Sequence, residues 1–479
     1  MLTLLGFGMV IAFMFLIMTK RLSPLVALIA IPILFAIIGG FGGRAVGDMM
    51  IEGVRSLAPT GVMLMFAILY FGIMTDAGLF DPIVRCILRV VGNDPMKAVV
   101  GTAVLAAVIS LDGDGSTTYM IVVASMLPLY RRLGLDVLNL TCVTMLASGV
   151  MNLTPWGGPL ARAASALHVE PAEVFVPMIP AMIVGVLGVI ALAYLLGLRE
   201  RRRLGFLSVD RGDLQPVAVV ESGSRGTTSA VFSVVSGDAD LSEAPSSSRG
   251  GDTRQAGRCA EHSGLPAQNP LRRPKLLWVN AALTAVLMIS LVIGVLPLSV
   301  LFMIAFAIAI VVNYPNLEEQ RSRIGDHAKN VISVVSLIFA AGIFTGILSG
   351  TGMVNAMADS LLASIPADLG PFLAPITALA SMPFTFFISN DAFYFGVMPI
   401  ASEAAAAYGI SPVEMARASL VGQPVHLLSP LVPSTYLLVG LVGVEFGDHQ
   451  RYTLKWACLI SLVIMATALT CGAFPMLAG

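Results

Sequence analysis

Leu111-Asp112-Gly113-Asp114-Gly115-Ser116-Thr117-Thr118 sets acids, glycines and hydroxyls inside an otherwise apolar stretch, and 277 positions later Ile388-Ser389-Asn390-Asp391-Ala392 interrupts another in the same way. Other pairs keep nearly the same offset. Leu22-Ser23 answers Leu298-Ser299, Val46-Gly47-Asp48 answers Ile324-Gly325-Asp326, Gly78-Leu79-Phe80 answers Gly352-Met353-Val354, and Thr154-Pro155 answers Ser429-Pro430, with shifts of 274 to 278. A shift held from one end of each half to the other marks a duplication rather than a chance word match.

The halves are membrane sequence. Of 479 residues 57% are hydrophobic and 12% charged, with mean hydropathy +0.87, against about 25% charged residues in soluble domains. Apolar runs of about 17 to 25 residues match the helix length that crosses a hydrocarbon core of roughly 30 Å; examples are 2–18, 22–41, 58–75, 174–198, 276–313 (two spans about Leu296-Pro297) and 454–474. The formal net charge of −1 gives no reason to expect a nucleic-acid partner. The first run lacks a basic leader and meets Lys20-Arg21 with a second span behind it, which reads as a retained helix rather than a cleaved signal. Cys86, Cys142, Cys259, Cys458 and Cys471 show no CxxC spacing, against a disulfide framework or zinc site.

Between the halves, 199–275 is rich in Ser, Gly, Asp and Arg, as in Ser246-Ser247-Ser248-Arg249-Gly250-Gly251. It reads as a solvated, disordered linker. Positive charges fall in alternate connections: Lys20 and Arg21; Arg85, Arg89 and Lys97; Arg131 and Arg132; Arg199 to Arg203; Arg321, Arg323 and Lys329; Arg451 and Lys455. Those connections, the linker included, are expected in the cytoplasm and both termini outside. The stretches 351–371 and 401–412 hold no Lys or Arg until Arg417 and are expected to face outward. The pattern closes only if each half has about five spans and if a segment in each half enters and leaves on one side. An odd repeat followed by its copy is inverted. The predicted fold is thus an all-α polytopic membrane protein of two inverted-topology repeats, each of about five transmembrane helices plus a re-entrant hairpin. The first, 1–198, carries a hairpin at about 98–130 and a broken helix at about 137–165. The second, 276–479, carries them at about 372–400 and 412–440.

Chemistry is expected where charge and irregular backbone sit at membrane depth. An aspartate at the centre of a spanning helix costs about 2.5–3.5 kcal/mol, yet Asp112, Asp114 and Asp391 recur at matched places. The alternative, ordinary surface turns, does not explain that recurrence. The glycines break the first helix, Ser116 with Thr117 is expected to cap its restart, and Asn390 to do the same beside Ser389. Unpaired N–H groups at restarted helices suit carboxylates. A second matched pair, Asn152-Leu153-Thr154-Pro155-Trp156-Gly157-Gly158-Pro159 and Ser429-Pro430-Leu431-Val432-Pro433-Ser434-Thr435, puts prolines and hydroxyls inside expected spans. Proline frees a carbonyl there, which either lines a cavity or marks a simple kink. Interrupted segments in corresponding positions of two halves point to a transporter's binding site. His426, with Gln423 just before it, reads either as a proton carrier or as a hydrogen-bonded structural histidine. Arg162 and Arg417 read either as partners for a substrate carboxylate or as snorkelling anchors. Asp76, Asp81 and Asp359 sit at span ends, where solvation is expected.

These strings, with Phe13-Met14 through Thr19-Lys20-Arg21-Leu22-Ser23, Phe387 to Gly396 and Gly422-Gln423-Pro424-Val425-His426-Leu427-Leu428-Ser429-Pro430, resemble the citrate–divalent metal:proton symporter family of the ion transporter superfamily. The likeness covers nearly the whole chain outside the linker. It implies proton-driven uptake, across the plasma membrane, of citrate complexed with a divalent cation such as Mg²⁺ or Ca²⁺, with no permanently bound cofactor. Expected partners are the metal–citrate complex, protons and the lipid bilayer, and a homodimer is the candidate assembly. The superfamily's sodium–dicarboxylate carriers have Ser-Asn-Thr at their hairpin tips. Ser389-Asn390-Asp391 and the acidic first tip depart from that, which counts against sodium coupling.

A metal–citrate site needs oxygen ligands for a hard cation and donors for the anion. Asp112, Asp114 and Asp391 could supply the first; Ser116, Thr117, Asn152, Thr154, Gly157, Ser389, Asn390, Ser429, Ser434, Thr435 and the helix ends could supply the second. Asp114, Asp391 and His426 could equally carry protons, and the sequence does not separate these roles. The rivals are a sodium- or proton-coupled carrier of other anions, a cation exchanger without organic substrate, and an intramembrane aspartate enzyme. Catalysis at one centre would not need the repeat.

Overall fold

Apolar runs bounded by Ser, Asp, Asn and Gly become helices because in hydrocarbon only an internally bonded backbone is tolerated. The computed structural model describes residues 2–19, 21–92, 94–113, 115–204, 271–364 and 366–477. Most of the expected linker (205–270) and Asp114, proposed as both metal ligand and proton carrier, lie outside the described residues. The first half contains α1 (Leu2–Met18), α2 (Pro24–Ile38), α3 (Arg44–Asp76), α4 (Asp81–Val91), α5 (Pro95–Ile109), α6 (Gly115–Leu133), α7 (Val137–Met151), α8 (Gly158–Ala166), α9 (Pro171–Phe175) and α10 (Ile179–Leu204). The second contains α11 (Leu277–Ile293), α12 (Leu298–Asn313), α13 (Leu317–Gly350), α14 (Met353–Ser364), α15 (Leu373–Phe387), α16 (Met398–Ala406), α17 (Pro412–Ser419), α18 (Gln423–His426), α19 (Pro433–Val442) and α20 (Phe446–Thr470). No strand forms among the described residues. Starts are set by short polar side chains that take orphan N–H groups: Ser23 for α2, Asp94 for α5, Asp136 for α7, Asn316 for α13, and a reciprocal Ser411–Glu414 box for α17.

Among the described residues seven helical stretches are long and apolar enough to cross a membrane, and six shorter apolar helices accompany them. Leu4, Ile11, Phe15, Ile37, Val292 and Ile293 point outward, a patchwork that water would penalise and lipid does not. Element order and length repeat between the halves, for example in α1 and α11 (17 residues each), α3 and α13 (33 and 34) and α5 and α15 (15 each).

The long helices α3 and α13 pack along each other and run antiparallel. Met49 lies against Gly350, Gly53 against Gly342 and Gly346, Phe339 against Gly61, and His327 against Gly72. Glycine at the crossing brings backbone onto backbone, the close approach by which membrane helices gain packing energy. α12 packs on α3 and α2 on α13, each helix against the long helix of the other half. Where α3 ends, Asp76 is half-buried rather than simply solvated: His327 Nε2 lies 3.0 Å and Arg323 Nη1 3.5 Å from its Oδ2.

Candidate functional site

Both interrupted segments are interrupted in space. α5 gives way to a 3-10 turn over Ser110–Asp112, and Gly113 takes φ 77°, a left-handed geometry that disfavours any side chain. A methyl there would also fall 2.9 Å from Trp156 Cδ1. α6 restarts at Gly115, so Ser116 and Thr117 occupy its first turn, half-buried, as Asp112 is. The arms of this hairpin pack together, with Thr102 Oγ1 and Tyr130 Oη 3.1 Å apart. In the second half α15 ends at Phe387 and Ile388 is extended. Ser389 Oγ then accepts the Ala392 N–H at 3.2 Å, so Ser389 rather than Asn390 takes the capping role. A wide π-type turn follows over Ala392–Val397, a geometry enriched at functional sites. α17 packs against both α15 and α16.

The broken helices meet these tips crosswise. Trp156 Nε1 donates to the Leu111 carbonyl at 2.8 Å, and Ser110 Oγ shares a 2.9 Å bond with Ser148 Oγ of α7, tying the first tip to its own half. From the other half Ser434, in the first turn of α19, reaches the same tip: its Oγ lies 3.7 Å from where a Gly115 β-carbon would stand. The second tip mirrors this. His426 Nδ1 lies 2.8 Å from the Thr385 carbonyl, and since a carbonyl only accepts, Nδ1 carries the proton. From the first half Arg162 of α8 reaches across, its Nε donating to Asp391 Oδ1 at 2.6 Å. The side chains are 23% and 13% exposed, an enclosed pair that solvent still touches. Segment 156–162 therefore touches one tip at Trp156 and the other at Arg162.

At the first break Gly157 folds tightly: its N–H donates to Thr154 O at 2.8 Å, and a methyl there would fall 2.7 Å from Asn152 O. Asn152 is half-buried and Thr154 fully buried. At the second break side chains satisfy the freed carbonyls, with Thr435 Oγ1 donating to Leu427 O, Gln450 Nε2 to Leu428 O (2.7 Å) and Tyr436 Oη to Pro430 O (3.0 Å). Ser429 Oγ accepts the Leu431 N–H at 3.2 Å. The hydroxyls of Ser429 and Thr435 thus hold the turn itself. Gln423 Nε2 donates to Tyr394 Oη at 2.9 Å.

Four buried oxygens around the tips and breaks have no hydrogen-bond partner among the described residues: Thr118 Oγ1, Thr154 Oγ1, Asn390 Oδ1 and Gln423 Oε1. Each such atom costs about 1–3 kcal/mol unless water or ligand reaches it. Among the described residues no group of three His, Cys, Asp or Glu gathers in metal-binding geometry. The two arginines separate cleanly. Arg417 donates at 2.8 Å to the carbonyls of Ala473 and Glu173 and so staples three elements, whereas Arg162 alone faces a tip carboxylate. The sequence alone leaves Arg162 between anchor and ligand. The available signal was an ionisable residue just beyond a Pro/Gly break in a buried helix.

The citrate transporter family model, CitMHS, matches residues 13–422. A citrate transporter of Bacillus subtilis is 56% identical over 472 residues, covering 98% of this chain and 99% of its own length. A Mg(2+)/citrate complex secondary transporter of the same organism is 51% identical over 478 residues, covering 99% and 100%. Of solved structures, the YdaH transporter of Alcanivorax borkumensis, described as having an unusual topology, aligns with TM-score 0.54 over 91% of this chain and 90% of its own at 13% identity, a likeness of fold.

Proposed function

The chain belongs to the citrate transporter family CitMHS, and from that premise we propose that it carries citrate inward across the plasma membrane as a complex with a divalent cation, Mg²⁺ or Ca²⁺ in type, together with protons. It is a multi-pass membrane transporter rather than an enzyme. The observation that carries the finer reading is the Arg162–Asp391 pair, which sets a fixed cation and a carboxylate side by side at the second tip. Asn390 Oδ1 of that tip is one of the orphaned buried oxygens. A metal–carboxylate cargo offers the complement of both charges.

In this reading Asp391, with Asp112 and Asp114, supplies oxygen to the cation. Citrate brings oxygens of its own, so few protein ligands are required. Ser116, Thr117, Asn152, Thr154, Ser389, Asn390 and Ser434 face the anion, Gly157 admits it close to backbone, and Ser429 and Thr435 keep the opened helix open. Protons travel on Asp114, Asp391 or His426, whose Nε2 stays available when Nδ1 serves Thr385.

Inverted repeats, with both termini outside and 199–275 in the cytoplasm, are part of the proposal. The antiparallel run of the matched helices α3 and α13 supports them, because equivalent helices that lie side by side in opposite directions require a two-fold axis across them. Uptake of labelled citrate into vesicles is expected to need a divalent cation and to follow an inward proton gradient. Metal-independent uptake driven by sodium would refute it.

A further inference from the structure

We propose that Arg162 and Asp391 are an exchange pair: each charge holds the other in the empty carrier, and the cargo separates them by giving the carboxylate a metal and the guanidinium a carboxylate in the same step. This rests on the metal–citrate reading and adds a reason why neither citrate nor metal is taken alone. Both side chains sit where an unpaired charge is strongly penalised. Free citrate would capture Arg162 and strand Asp391; a free cation would do the reverse. The complex alone replaces both partners at once.

The geometry suits an exchange rather than a permanent clamp. Nε is the only nitrogen of Arg162 with a hydrogen bond among the described residues, and Oδ1 the only bonded oxygen of Asp391. A two-pronged fork, the stronger arrangement, is not used. The guanidinium lies back along the start of α8, where a methyl at Gly158 would fall 2.7 Å from Nη1. Nη1 and Nη2 carry no hydrogen bond among the described residues, which leaves donors for a planar carboxylate, the group that guanidinium geometry suits. The partners also come from different halves, one from a hairpin tip and one from the opposite broken helix. Cargo that parts them acts on the contact between halves.

The test is ligand binding to purified protein in nanodiscs, using citrate with Mg²⁺, citrate with a chelator, and Mn²⁺ without citrate, on wild type, Asp391→Asn, Arg162→Gln and the double variant. Wild type is expected to bind only the complex. Asp391→Asn should bind citrate in the presence of the chelator, its metal requirement falling at least tenfold. Arg162→Gln should bind Mn²⁺ in citrate-free buffer and lose at least tenfold in affinity for the complex. The double variant, which strands no charge, keeps the test open if a single variant misfolds and should bind all three ligands weakly with no co-requirement. A metal requirement unchanged in Asp391→Asn and in the double variant, with wild type binding the complex, overturns the exchange alone. Wild type that binds no metal–citrate overturns the functional reading and the exchange with it.

Discussion

Adding one methyl at Gly342 should loosen the seam on which the two halves meet. The new carbon of Gly342→Ala would stand 2.8 Å from the Gly53 carbonyl oxygen, 3.0 Å from its carbon and 3.2 Å from Val54 Cα. All three are backbone atoms, so no rotamer change relieves the contact. Ordinary van der Waals contact begins near 3.4 Å, and α3 and α13 must therefore part by roughly half an ångström, an overpacking worth about 1–3 kcal/mol. Against this stands the helix propensity gained from glycine to alanine, about 1 kcal/mol. Gly325→Ala is the control. It lies on the same helix with no atom within 4 Å of the added carbon, so it collects the propensity gain alone, and the difference between the variants isolates the overpacking. Unfolding in detergent should put Gly342→Ala below Gly325→Ala by about 1–3 kcal/mol. Equal stabilities would refute the close glycine seam.

Trp156→Phe removes the donor to Leu111 O while the ring still packs between Phe71 and Phe302, at 5.3 Å from each; uptake should show a KM raised about fivefold or more, about 1 kcal/mol of lost hydrogen bonding, with thermal stability little changed. Asn280 and Asn313 exchange buried amide bonds of 2.8 and 2.9 Å between α11 and α12, so either single Leu substitution should cost about 1–3 kcal/mol in an unfolding assay and the double should recover most of it. Ser23 and Ser299 occupy equivalent places in the two halves; in a cysteine-free background, a membrane-impermeant thiol reagent should label Ser299→Cys from outside and Ser23→Cys only after permeabilisation. Labelling of both from one side would exclude inverted repeats.

Much of this protein is readable in one dimension because lipid imposes one-dimensional rules. A backbone in hydrocarbon must bond within its own helix, so run length and polarity announce an all-helical membrane protein, and Gly113, Pro155 and Pro430 announce where the helices fail. The family was legible for a similar reason: the words around Asp112, Trp156, Asn390 and His426 are long and lie in fixed order. The use of each polar side chain was less legible. Asn390 is the cap that spacing suggests, and Ser389 takes that bond; Thr435 gives its hydroxyl proton to the carbonyl that the break exposes, and Ser429 Oγ accepts an N–H there while keeping its own O–H to donate. Capping is a contest among neighbouring side chains decided by local backbone angles, which spacing alone does not specify.

Sequence by itself determined the helical class and the interruptions, which follow from periodicity and composition along the chain, and the family, which rests on the resemblance of its long motifs. Tertiary structure decided which interruption faces which. The bond between Arg162 and Asp391, residues 229 apart in the chain, the contact of Ser434 with the first tip and the glycine crossing of α3 with α13 all depend on how two halves fold over each other. Such pairings are set by side-chain reach and backbone approach in three dimensions, and a linear pattern of polar residues carries no record of them.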